Sequence, residues 1–176
     1  MILTGSEIIK QVKLGKITID PFVEKNINPN SYNYRLGDKL LIVKNRLIDP
    51  KKETETEEIP LTKHGWLLKP GKLYLGHTME SFGSKDFVVN LIGRSSIGRL
   101  GLFLQITADL GNLGSSHCWT LELKVVQPLW VYPGMKIGQI CFWKPHGDKK
   151  YNYCSKYWMY SLPHSSEMVK EFFQIN

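Results

Sequence analysis

A chain of 176 residues is long enough for one well-packed domain and too short for two of ordinary size. With 42% apolar residues and a mean hydropathy of −0.23 it has the composition of a soluble globular protein, and no apolar run approaches the roughly 20 residues that cross a bilayer as a helix. The net charge of +7 favours an anionic partner, but the basic residues are scattered and no helix-turn-helix or RNA-binding signature is present, which directs the reading to nucleotides and away from nucleic acid.

The opening MILTGSEIIK lacks the basic start and long apolar core of a signal peptide, so the expected location is the cytoplasm. Cys118, Cys141 and Cys154 are odd in number and show no CxxC spacing; they read as reduced thiols. Residues 4–15 read as a short helix, capped by Thr4 or Ser6, with Ile8, Ile9 and Val12 at helical spacing and Gly15 as its end. KITIDPF predicts a short strand stopped at Asp20-Pro21, and Asn28-Pro29-Asn30 a turn into alternating strand residues. IDPKKETETEEIP, charged and poor in apolar residues, predicts a mobile loop to which no role is assigned. From Gly65 to Trp143, short apolar runs punctuated by Gly or Pro-Gly predict a mainly β domain, a barrel or jelly roll, with Pro70-Gly71 and Pro133-Gly134 as tight turns between antiparallel strands. After Lys144 the chain turns aromatic and basic, which reads as a C-terminal arm over about 145–176 that either folds over a site or packs its aromatics locally.

The most informative stretch is GRSSIGRLGLFLQITADLGNLGSSHCWTLEL, residues 93–123. Arg94, Ser95, Ser96 and Arg99 crowd around two glycines, a composition suited to phosphate because small residues let backbone N–H groups approach its oxygens while Arg supplies charge. The stretch closes on TLEL, where Glu122 lies on the opposite strand face from Leu121 and Leu123. A nucleotide cradle followed by a positioned general base is the first reading; a solvated carboxylate and a surface set of arginines are the bland alternatives. His117 reads as a structural or loop residue, and Trp119, Trp130 and Trp143 as core or subunit-contact residues.

GRSSIGRLGL, TLEL and YPGMKIGQICF, preceded by WLLKPGKLYLGHTMES and NPNSYNYRLG, resemble the dCTP deaminases of the trimeric dUTPase superfamily, from Met1 through LPHSS. The resemblance implies a single dUTPase-like domain over 1–176, a distorted β-barrel or jelly roll with a short N-terminal helix and a C-terminal arm, assembled as a homotrimer. It implies deamination of dCTP to dUTP and ammonia, Mg²⁺ carried by the triphosphate, and dTTP as an inhibitor. Carried over by residue, Arg94, Ser95 and Ser96 match the phosphate- and base-side motif, Arg99 the arginine that orients the catalytic carboxylate, and Ala108 the alanine whose backbone holds the attacking water. Thr120, Leu121 and Glu122 match the base-reading strand, with Glu122 as general acid/base. Lys156-Tyr157 matches a Lys-Tyr pair of the arm, with Tyr151 or Tyr153 as a nucleotide-contacting tyrosine and Tyr160 where the arm usually has Gln.

The residues agree with that chemistry by themselves. Zinc deamination needs His or Cys ligands with H-x-E and P-C-x-x-C spacing, and neither half is present, so a metal-free carboxylate route through Glu122 is expected, with Ser95 holding base or water. An arginine partner lowers a carboxyl pKa and burial raises it, a balance open at this level. The loop after Ala108 departs from the family pattern. Asn112 stands for an aspartate that contacts the sugar 3′-hydroxyl, Ser115 for an aromatic residue and His117 for a glycine; Asn33 and Tyr160 are further departures. The resemblance also implies that in the related dUTPases the matching aspartate activates the water that attacks the α-phosphate; an amide cannot take that proton, so Asn112 argues against a diphosphatase step that would yield dUMP. The alternatives are a dUTPase-type diphosphatase, a deaminase of a modified cytosine nucleotide, and a non-catalytic nucleotide-binding regulator of the same fold.

Overall fold

The structure is a computed structural model and describes residues 1–104, 107–149, 157 and 160–173. Helix α1 (Gly5–Lys13) forms where the apolar spacing predicts it: the Thr4 side chain accepts from the Glu7 amide at 3.4 Å, and Ile8 is buried against the domain. Immediately past its C-cap Leu14, Gly15 takes a φ of 68°, a left-handed conformation that glycine adopts without Cβ strain.

The remainder is mainly strand. β1 (Thr18–Asp20), β3 (Lys39–Val43), β4 (Thr56–Pro60), β6 (Tyr74–Gly83), β8 (Leu102–Leu104) and β10 (Ser116–Val125) make a six-stranded sheet in the order β4-β3-β6-β10-β8, with β1 also on β6. β2 (Tyr32–Arg35), β7 (Val88–Gly93), β9 (Leu110–Gly111) and β12 (Lys136–Trp143) make a second, ordered β2-β12-β7-β9. β5 (Trp66–Leu68) and β11 (Leu129–Val131) form a two-stranded ribbon, and all pairings are antiparallel. One helical turn, α2 (Ser95–Gly98), follows β7, and α3 (Met168–Phe173) closes the described chain.

The two larger sheets share one core. Phe82 of β6 meets Tyr32 and Tyr34 of β2 edge-on, each with ring centroids 6.0 Å apart, and Leu121 and Leu123 of β10 lie in the same cluster as Leu91 and Phe142 of the other sheet. Both sheets stay open, so the two-sheet form is realised and a closed barrel is not.

Two sequence expectations are corrected. The charged run predicted as a mobile loop contains β4, paired along its length with β3. Its charges belong to an edge strand, where they discourage pairing with other chains, and Lys39 holds Glu58 at 2.9 Å. The Pro-Gly turns are present, with φ of 78° at Gly71 and 76° at Gly134, but they do not make hairpins. β5 and β6, like β11 and β12, belong to different sheets, so each turn carries the chain between sheets.

Gly111 of β9 fixes one wall of the domain. A Cβ there would lie less than 3 Å from both Val89 and the Trp119 ring. Gly111→Ala is therefore expected to overpack this contact and cost about 1–3 kcal/mol, a fall in Tm of roughly 3–10 °C by thermal denaturation.

Candidate active site

β10 runs between β6 and β8, and its alternation decides what it offers. Leu121 and Leu123 are fully buried in the core, while Thr120 and Glu122 face a cavity of about 500 Å³. Leu121, grouped with the base-reading residues by resemblance, thus has its side chain in the core and not in the cavity. A bulge between Cys118 and Thr120 shifts the register against β6; the Trp119 amide there donates to Thr78 Oγ1 at 2.9 Å, and the Thr78 hydroxyl donates to the Glu80 carbonyl at 2.7 Å.

Glu122 is partly buried, and burial pushes its carboxyl above the ordinary 4.5, opposed by a hydrogen bond to its own backbone. The balance left open by the sequence falls to burial, because Arg99 does not line this cavity within the chain. Behind it, Tyr34 is held protonated by burial and, secondarily, by the charge of Glu122. The pH consequence has a definite sign. A base must be ionised, so a raised pKa moves the acid limb of catalysis upward: kcat/KM is expected to fall with an apparent pKa above 4.5 as pH decreases, read from a pH–rate profile.

A second wall comes from the divergent loop. Asn112 is exposed at the rim, whereas Ser115 and His117 are buried. His117 lies in β10 and in the cavity wall, where it is more than a loop residue. Its ring rests on Trp119 with centroids 4.3 Å apart, and burial pushes its pKa below 6.5, favouring the neutral imidazole. Trp119 is held in turn by Nε1–H donating to the Phe82 carbonyl at 3.2 Å. Ala108 also lines the cavity, as do Ile48 and Thr54 from the β3–β4 connection, to which sequence reading gave no role.

The C-terminal segment supplies a third wall through Tyr157, Tyr160, His164, Ser165 and Ser166. The structure thus brings Ala108, Asn112, Thr120, Glu122 and Tyr160 together. It does not bring Arg94, Ser95, Ser96 or Arg99 to this cavity. Those residues sit at and after the end of β7, with Ser95, Ser96 and Arg99 exposed and Arg94 Nη1 donating to the Lys136 carbonyl at 3.0 Å. Tyr151, Tyr153, Lys156 and Cys154 lie outside the described residues; Cys118 and Cys141 are free thiols. His164 and Glu167 were missed by motif reading, and the LPHSS run that contains the histidine was their one visible signal. A second cavity, of about 550 Å³ beside α1 and Phe87, holds none of the motif residues.

Among the described residues no cluster of three or more His, Cys, Asp or Glu side chains could hold a metal ion, and no helix is long and apolar enough to cross a membrane.

Residues 2–145 match the family described as dCTP deaminase-like. The chain is 45% identical over 172 residues to a protein named dCTP deaminase, dUMP-forming, from Clostridium beijerinckii, covering 98% of this chain and 99% of that one. It is 48% identical over 143 residues to a protein of the same name from Cytophaga hutchinsonii, covering 81% and 82%. The solved 2′-deoxycytidine 5′-triphosphate deaminase from Agrobacterium tumefaciens has the same fold, with a TM-score of 0.65 at 24% identity; the match covers 82% of this chain and 48% of that longer one. Two open antiparallel sheets with a carboxylate-bearing cavity beneath a C-terminal segment define a mainly β protein with a candidate active site on β10. The chain belongs to the dCTP deaminase-like family.

Proposed function

We propose that this protein hydrolytically deaminates dCTP to dUTP and ammonia, with Glu122 as general acid/base. The observation that carries the reading is a partly buried carboxyl of raised pKa, beside the Thr120 hydroxyl, in a cavity of nucleotide size. The Glu122 carboxylate takes a proton from a water as its oxygen attacks C4 of the cytosine ring. That proton passes to N3, the tetrahedral centre forms, and a second transfer lets the C4–N bond break with departure of ammonia and formation of the C4 carbonyl. The Ala108 backbone holds the water, Asn112 at the rim meets the sugar hydroxyl, and Mg²⁺ travels with the substrate's phosphates, as its preference for phosphate oxygens and water allows.

Among the described residues that line the cavity there is no Lys or Arg for a triphosphate, while Arg94, Ser95, Ser96 and Arg99 lie elsewhere on the chain. We take the working form to be a homotrimer in which one subunit's motif completes the next subunit's cavity, Ser95 and Arg99 serving the base and carboxylate and Arg94 and Ser96 the phosphates. The exposed Leu100, Phe103, Leu110, Trp130 and Tyr132 supply apolar surface for such contacts. The whole chain acts as one domain in which residues from about 145 onward, including Tyr151, Tyr153 and Lys156, cover the nucleotide. dTTP, with the same sugar and triphosphate, inhibits by occupying the cavity, and the cytoplasm is the place of action.

A second reading is favoured by the relatives named dUMP-forming, at 45% identity over nearly the full chain: deamination followed by loss of diphosphate. Asn112, with an amide where a base is needed, opposes it. Chromatographic separation of the products decides between them, dUTP supporting the first reading and dUMP with diphosphate the second.

A further inference from the structure

The C-terminal segment contains an arrangement centred on His164. Its ring lies on that of Tyr160, with centroids 3.6 Å apart and planes 24° from parallel, and its Nδ1 is 2.8 Å from the Ser165 carbonyl. Because a carbonyl can only accept, Nδ1 carries the proton of that contact. Glu167, 7% exposed, gathers the same segment: its Oε1 accepts from the Tyr160 hydroxyl at 2.7 Å and from Lys170 at 2.9 Å, and its amide donates to the Tyr157 hydroxyl at 3.0 Å. The segment is therefore a self-supporting cluster of aromatic rings around a buried carboxylate. It is tied to the catalytic strand where the His164 amide donates to Thr120 Oγ1 at 3.3 Å.

Thr120 and Glu122 share one face of β10, so this tie falls beside the carboxylate. A hydroxyl oxygen that accepts from an amide keeps its own proton to donate. The cytosine ring offers acceptors at O2 and N3, and its exocyclic amine is a donor. We propose that His164 is a positioning residue for substrate binding: by stacking on Tyr160 it seats the C-terminal segment on β10 and sets the Thr120 hydroxyl as a donor to the pyrimidine ring held next to Glu122. This inference rests on dCTP being the nucleotide bound. The residue acts through Thr120 and through the segment's packing, and touches no reacting atom.

The test compares wild type, His164→Ala and His164→Phe as full-length chains. Turnover of dCTP is measured alongside dCTP affinity, the latter by isothermal titration calorimetry with dCTP and Mg²⁺. His164→Ala is expected to raise KM and Kd for dCTP about 3- to 10-fold, as loss of a stacking contact and a hydrogen bond implies, with kcat within about twofold and Tm within about 2 °C. His164→Phe, which keeps the stack, is expected to recover affinity to within about twofold of wild type. Unchanged KM and Kd in His164→Ala would overturn the proposal, as would a joint loss of kcat and Tm that His164→Phe does not relieve. The two readings fail separately. A wild type that binds dCTP without releasing ammonia sinks the deaminase reading and leaves this one to the Kd comparison, whereas a wild type that does not bind dCTP sinks both.

Discussion

Glu122→Gln is expected to reduce dCTP deamination by roughly 10²–10⁴-fold or more, the range that a positioned general base supplies. The amide matches the carboxyl in shape and can still accept and donate hydrogen bonds, but it cannot hold the proton that water must surrender. The fold should not suffer. Burial raises the folded-state pKa of Glu122, so the protonated form is the one that the folded state prefers. Its stabilising contribution is complete below the unfolded pKa and is lost as pH rises through the folded one. Glutamine, neutral at every pH, keeps it, and Tm at pH 7 should be no lower than wild type. A variant that turns over dCTP near the wild-type rate removes Glu122 from the mechanism. A variant that is inactive only because it is unfolded would show in the melting curve.

The second large effect concerns the proposed division of the site between subunits. Arg99→Ala and Glu122→Gln chains are each expected to be nearly inactive alone, with Arg99→Ala costing activity more than stability because Arg99 is exposed in the isolated chain. Mixed trimers assembled from equal amounts of the two should recover activity. A site that needs Glu122 from one chain and Arg99 from its neighbour is intact in one of four pairings, so about a quarter of wild-type activity should return in a ring of randomly mixed subunits. No recovery beyond the sum of the two parents would place both residues of a site on one chain and contradict the shared-site arrangement.

How far the sequence could be read depended on whether a feature is local. The α1 cap, the Gly71 and Gly134 turns, and the alternation that sends Leu121 inward and Glu122 outward are set by near neighbours, and all are as the residues imply. Pairing is not local. β4 was hidden because its charges reflect an edge position that depends on β3 beside it, and the Pro-Gly turns gave no sign that their flanking strands enter different sheets. In the site, Thr120 and Glu122 were legible from strand period and motif. The separation of the Arg94–Arg99 cluster from the cavity within one chain was not, because closeness in the chain does not fix which face of the fold a side chain reaches. His164 escaped for another reason: its role comes from a stack on Tyr160, a carboxylate at Glu167 and a backbone bond to β10, none of which follows a motif spacing.

The most direct test is to incubate the full-length protein with dCTP and Mg²⁺ and to measure ammonia and the nucleotide products together. One ammonia released per dCTP consumed, lost on Glu122→Gln, is the result expected. Bound dCTP that survives without ammonia release would contradict the central claim and leave a cavity that holds the nucleotide without acting on it.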